Sequence, residues 1–121
     1  MKFIPDTAQG LSITGYGPGW VSVNGEQHRT SLLVSSEGLC RPWGGTSFAE
    51  LNAAHFDELA ELAPELVLFG SGGRIQFPSP QWLTALYARR IGVETMDTQA
   101  ACRTYNFLAG EGRSVLAALL V

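Results

Sequence analysis

A chain of 121 residues with a net charge of −3, 45% hydrophobic and 16% charged side chains is the size of one compact domain and has the composition of an ordinary folded protein. The acidic balance excludes the basic footprint by which nucleic-acid and anionic-membrane binders hold phosphate; Lys2 is the only lysine and no Lys/Arg run occurs. No segment approaches the ~20 apolar residues of a membrane span, and Met1-Lys2-Phe3-Ile4-Pro5-Asp6 lacks the apolar core of a secretory signal. A cytoplasmic protein without direct membrane insertion is therefore expected. Cys40 and Cys102 lie far apart and match no C-x-x-C spacing, which predicts free thiols in a reducing compartment and no metal site.

In chain order, Leu11 to Tyr16 and Trp20 to Val23 roughly alternate apolar and polar residues, the period of strands with one wet face. Gly15, Gly17, Pro18 and Gly19 punctuate them as a turn. Asn24-Gly25 is a strong hairpin signal, because both central positions of the favoured turn need positive φ. The run from Glu26 to Ser35 begins polar and ends in Leu32-Leu33-Val34, which reads as one strand passing from an exposed edge into the core. This first third is predicted to be an antiparallel meander.

Gly38 to Thr46 reads as a turn-rich connection carrying Arg41 and Trp43. From Asn52 or Ala53 to Leu62 the pattern turns helical, with Phe56, Leu59, Ala60 and Ala63 on one face and Asp57, Glu58 and Glu61 on the other. Pro64 ends this helix. Leu66-Val67-Leu68-Phe69 is a continuous apolar run of strand length, which predicts a strand buried on both faces. Ser79-Pro80 predicts an N-cap and first helical position, with a helix to about Arg90. Gly92 releases the chain into a strand over Val93–Met96, completing a βαβ unit. Asp97-Thr98 caps a helix to about Ala109, with Ala101, Tyr105 and Leu108 inward. The final apolar run, Val115 to Val121, is read as a central strand.

One stretch stands out for chemistry. Glu65 to Gly73 is a buried strand opening into glycines, and ligands bind at such loops on the carboxyl edge of open α/β sheets. In Gly70-Ser71-Gly72-Gly73-Arg74, backbone N–H groups can converge on an anion, with the Arg74 guanidinium beside them. The helix starting at Thr98 follows the neighbouring strand, so its N-terminal donors should face the same hollow. The spacing matches neither G-x-G-x-x-G nor a P-loop. A ligand loop and a tight turn that merely reverses the chain both remain open.

From Thr98 to Arg113 lies a dense polar set, Arg103, Thr104, Asn106, Glu111 and Arg113, which reads either as a structural network or as a partner surface. Arg41 and Trp43 read as an interface anchor or as packing over the sheet edge. His28 and His55 pair with neither cysteine nor a carboxylate at ligand spacing, and Cys102 reads as a thiol activated at a helix start or as core filling. No catalytic set and no cofactor site emerges.

The order LVLFGSGG, PSPQWLTAL and IGVETMDTQAACRTYNFLAGEGRSVLAALLV resembles a small bacterial and archaeal family of unknown function, related to mitochondrial complex I assembly factor 3 and to the adipogenesis-associated domain protein of animals. The resemblance covers nearly the whole chain and is most specific from Glu65 to Val121. It implies a three-layer α/β fold with a mixed central sheet containing βαβ units, a β-meander packed alongside, and an antiparallel final strand. It implies action through protein contacts as an assembly or accessory factor for a respiratory or other membrane-associated complex, without catalysis. Gly70, Gly72, Thr98, Thr104, Asn106, Glu111 and Arg113 match the family's motifs. The alternatives are a binding protein or enzyme taking an anionic or phosphate-bearing small molecule at Gly70–Arg74, and a structural oligomeric subunit.

Overall fold

The computed structural model describes residues 10–45 and 47–121. Segment 1–9, read above for a signal, and Thr46, the last residue of the turn-rich connection, lie outside the described residues.

The meander forms as expected. Strands β1 (Ile13–Gly17), β2 (Trp20–Val23) and β3 (Glu26–His28) pair antiparallel in that order. Asn24 and Gly25 carry the turn at φ 48° and 89°, a region that costs Asn and Gly least. The Gly25 N–H donates back to Thr14 Oγ1 at 2.9 Å.

The run from Glu26 to Ser35 is not one strand. It breaks after His28, and β4 (Leu32–Ser35) leaves the meander for a second, five-stranded sheet. Glu26 and Gln27 are exposed, whereas all four β4 residues are buried. A strand apolar on both faces needs a place inside a covered sheet, which an edge of the meander does not offer.

The second sheet runs β5 (Cys40–Pro42), β4, β8 (Val115–Leu119), β6 (Leu66–Gly70) and β7 (Gly92–Met96). Part of the expected Gly38–Thr46 connection is thus the edge strand β5. β6 pairs parallel with β7 and with β8, while β8 is antiparallel to β4. The final strand is central, antiparallel on its β4 side and parallel to β6, because helix α3 returns the chain across the sheet before β8 begins.

Helix α1 (Ala53–Glu61), a 3₁₀ turn over Pro80–Leu83 and short helix α2 (Thr84–Ala88) cover one face. Helix α3 (Thr98–Gly110) and the meander cover the other, which completes three layers. Alternation along β8 divides the cores: Leu116 and Ala118 face α1, while Val115, Ala117 and Leu119 face α3. Asn52 caps α1 by accepting from Ala54 N–H at 2.9 Å, and Ala63 ends it at φ 52° just before Pro64. The helix expected from Ser79 to Arg90 is shorter. Ser79 gives no side-chain cap and bonds Gln81 instead, and the 3₁₀ turn brings Trp82 onto Phe56 with ring centroids 5.7 Å apart.

Candidate functional site

Parallel pairing of β6 with β7 brings Gly70 opposite Met96, so the turns that follow them leave the same edge of the sheet. Gly70 has no room for a side chain: a Cβ there would lie 2.9 Å from Leu119 Cδ2 and 3.0 Å from Thr98 Cα. The missing side chain lets the start of α3 sit directly on the end of β6.

Thr98 links the two turns. Its hydroxyl accepts from Gly72 N–H at 2.8 Å and donates to the Leu120 carbonyl at 2.6 Å, and its N–H donates to the Gly72 carbonyl at 2.9 Å. Buried Ser71 closes the loop from within: its N–H reaches the Met96 carbonyl at 2.9 Å, its hydroxyl the Arg74 carbonyl at 2.8 Å, and Gln76 N–H donates to that hydroxyl at 2.9 Å. Asp97 caps α3 by accepting from Ala100 N–H at 2.9 Å. Four donors that the sequence offers to an anion, on Ser71, Gly72, Thr98 and Ala100, therefore make internal bonds. Among the described residues, the N–H groups of Gly73 and Gln99 have no internal partner, and neither does the guanidinium of exposed Arg74.

Two hollows adjoin the loop. One, of about 220 Å³, lies between the β1–β2 turn and the loop, walled by Tyr16, Trp20, Gly73, Thr98 and Gln99. The other, of about 450 Å³, lies on the opposite side and includes Phe48, Ser71, Arg74 and Gln76. Leu120 and Val121 line both. Arg103 donates to Tyr16 Oη at 3.3 Å near the first, a bond that raises the guanidinium pKa further.

The remaining candidates do not share one face. Trp43 is 3% exposed, with its Nε1–H donating to the His55 carbonyl at 3.3 Å; it is a core residue and not an interface anchor, because Phe56 and Phe69 pack edge-on against it. Arg41 pairs with Glu58 at 2.7 Å on the other side of the sheet from α3. Asn106 accepts from Ile13 N–H at 2.9 Å and donates to its carbonyl at 2.7 Å, tying β1 to α3 where the β1–β2 register shifts. Thr104 is half-buried on that helix and Glu111 is exposed at its end. Arg113 pairs with Glu65 at 2.7 Å, at the opposite end of β6 from Arg74, and the bond holds the Glu65 carboxyl below its ordinary range.

One pairing is invisible in the sequence. His28 Nε2 lies 3.9 Å from Cys40 Sγ, although the two residues belong to different sheets. Burial, and then the Glu26 carboxylate, raise the Cys40 pKa, so the contact does not yield an activated thiolate. Burial pushes Cys102 up to about 12, which makes it core filling. Among the described residues no group of three His, Cys, Asp or Glu side chains is placed to hold a metal, and no helix is long and apolar enough to cross a membrane.

These features define a three-layer α/β protein in which a glycine turn and a helix start are locked together beside two hollows. The chain belongs to the family described as Protein of unknown function (DUF498/DUF598), whose model matches residues 13–120. It is similar to an uncharacterized protein of Rhodobacter capsulatus, 38% identical over 96% of this chain and 89% of that protein. It is also similar to NADH dehydrogenase (ubiquinone) 1 alpha subcomplex assembly factor 3 of Homo sapiens, 32% identical over 95% of this chain; the match spans 63% of that relative's length. A crystal structure of a Bordetella parapertussis protein shares the fold with a TM-score of 0.85 and 40% identity, covering 91% of this chain and 94% of the other. Assembly factors are thus among the relatives of this chain.

Proposed function

We propose that the protein acts without catalysis, by binding another protein in the cytoplasm as an assembly or accessory factor for a membrane-associated complex. The observation that carries this reading is the 32% identity to an assembly factor across 95% of the chain. The internal bonding of the glycine loop supports it, since Thr98 and Ser71 use that loop as a structural joint. A tagged chain recovered from native extract across a range of salt concentrations should bring down a partner in fixed stoichiometry. Recovery of the bare chain under every condition rejects the reading.

The hollow between Tyr16, Trp20 and Gly73 favours a second reading, a small anionic or phosphate-bearing ligand held by the free N–H groups of Gly73 and Gln99, with Arg74 lining the other hollow across the loop. Titration with nucleotides, phosphosugars and acyl carriers should then shift the amides of Ser71 to Arg74 and Thr98. Unmoved amides remove this reading.

A further inference from the structure

The open side of β7 carries features that neither hollow uses. Among the described residues, β7 is the last strand of its sheet and pairs with β6 alone. Its Met96 carbonyl points toward β6, where it accepts from Ser71 N–H. Backbone direction alternates along a strand, so the N–H and C=O groups of Val93 and Thr95 point away from the sheet, an open ladder of two donors and two acceptors. Beside it runs a groove of about 410 Å³ between β7 and the α2 layer, lined by Phe77, Pro78, Leu83, Tyr87 and the β7 residues 93–95; Glu94, paired with Leu68 of the other core, sends its side chain to the α3 face. Phe77 is 72% exposed and Tyr87 55%, an apolar pair lining the groove beside this open edge.

The geometry points to β7 as a docking edge for an extended segment of a different protein, with a basic residue opposite Glu94 and apolar residues on either side of it. This rests on the protein-binding reading above and names its surface. An added strand would complete the ladder at Val93 and Thr95. Its side chains next to these residues would lie on the α2 face, over Phe77 and Tyr87; the one between them would lie beside Glu94 on the other face. Glu94 is exposed and has no ion-pair partner among the described residues. A cation is the complement it lacks, since opposite charges on facing strand positions attract and like charges repel.

The same geometry argues against a second copy of this chain. Antiparallel self-pairing of Val93 with Thr95 sets Glu94 against its own twin. Sliding the register one way calls on the Ile91 N–H, which already donates to the Leu86 carbonyl at 3.0 Å. Sliding it the other way calls on the Asp97 carbonyl, which accepts from Ala101 N–H at 2.9 Å to open the α3 ladder.

Selection of random displayed peptides on the immobilised chain tests this. Enriched sequences should carry an apolar–basic–apolar core, and should shift the amides of Val93, Glu94 and Thr95 and slow their hydrogen exchange. Thr95→Pro, which removes an outward N–H without touching the β6 ladder, should weaken the selected peptide by about tenfold or more, the value of one to two hydrogen bonds. Glu94→Lys, which leaves the backbone intact, should turn the central preference from basic to acidic. Peptides that shift other surfaces overturn the edge proposal while leaving partner binding standing, as does a central preference that ignores Glu94→Lys. Failure to enrich any peptide also overturns the edge, and the pull-down then decides the broader reading alone.

Discussion

Gly70 and Thr98 carry the joint between the sheet and α3, and each is open to a single-residue test. Adding a methyl at Gly70 drives a Cβ to within 3.1 Å of Thr98 Oγ1 as well as against Leu119. Gly70→Ala should therefore lower stability by about 1–3 kcal/mol, read as a reduced urea midpoint. Thr98→Val keeps the shape and removes a hydroxyl that both accepts and donates. The loss should be about 1–3 kcal/mol, with faster hydrogen exchange at Gly72, whose N–H loses its acceptor. Sequence reasoning located this joint, because two parallel strands followed by a glycine run and a helix cap must finish side by side. Which way the donors point was not legible: that depends on a 2.6 Å contact between Thr98 and the Leu120 carbonyl, residues 22 positions apart.

At the scale of elements, the meander is held to the main body largely through α3. Tyr105 Oη donates to the Leu11 carbonyl at 2.8 Å, and Asn106 brackets the Ile13 backbone. Asn106→Ala should cost about 1–3 kcal/mol and speed exchange at the Ile13 amide more than within β6. Arg113→Ala removes only an exposed ion pair with Glu65 and should change stability by less than about 1 kcal/mol. The second half of the chain was readable because its periods are strong and its boundaries carry Pro64, Gly92 and Asp97. The division of Glu26–Ser35 between two sheets was not. No glycine or proline marks the break, and only the burial of both faces of β4 imposes it. The meeting of His28 with Cys40 follows from that same division.

For the molecule as a whole, the buried acids set its behaviour in base. Cys102 rises from its ordinary 9.0 to about 12, and burial, followed by the charge of Cys40, raises Tyr105 above its ordinary 10.0. Both groups keep their protons when folded and release them more readily when unfolded. Their contribution is thus complete below pH 9.0 and declines as pH climbs toward 12. The urea midpoint should fall over that interval, and Cys102→Ala should flatten the part of the fall that begins near 9.0.

The position of β8 between β4 and β6 has a consequence during synthesis. While residues 115–119 are still inside the ribosome, β4 and β6 have emerged with the edges they share with β8 unpaired, so the five-stranded sheet cannot close. Nascent chains arrested before Val115 should be digested rapidly by an added protease, whereas chains arrested behind an appended linker long enough to bring β8 out of the tunnel should resist. Closure of the five-stranded sheet is then tied to the emergence of β8, and the exposed strands of the waiting intermediate are what a chaperone at the exit tunnel would meet.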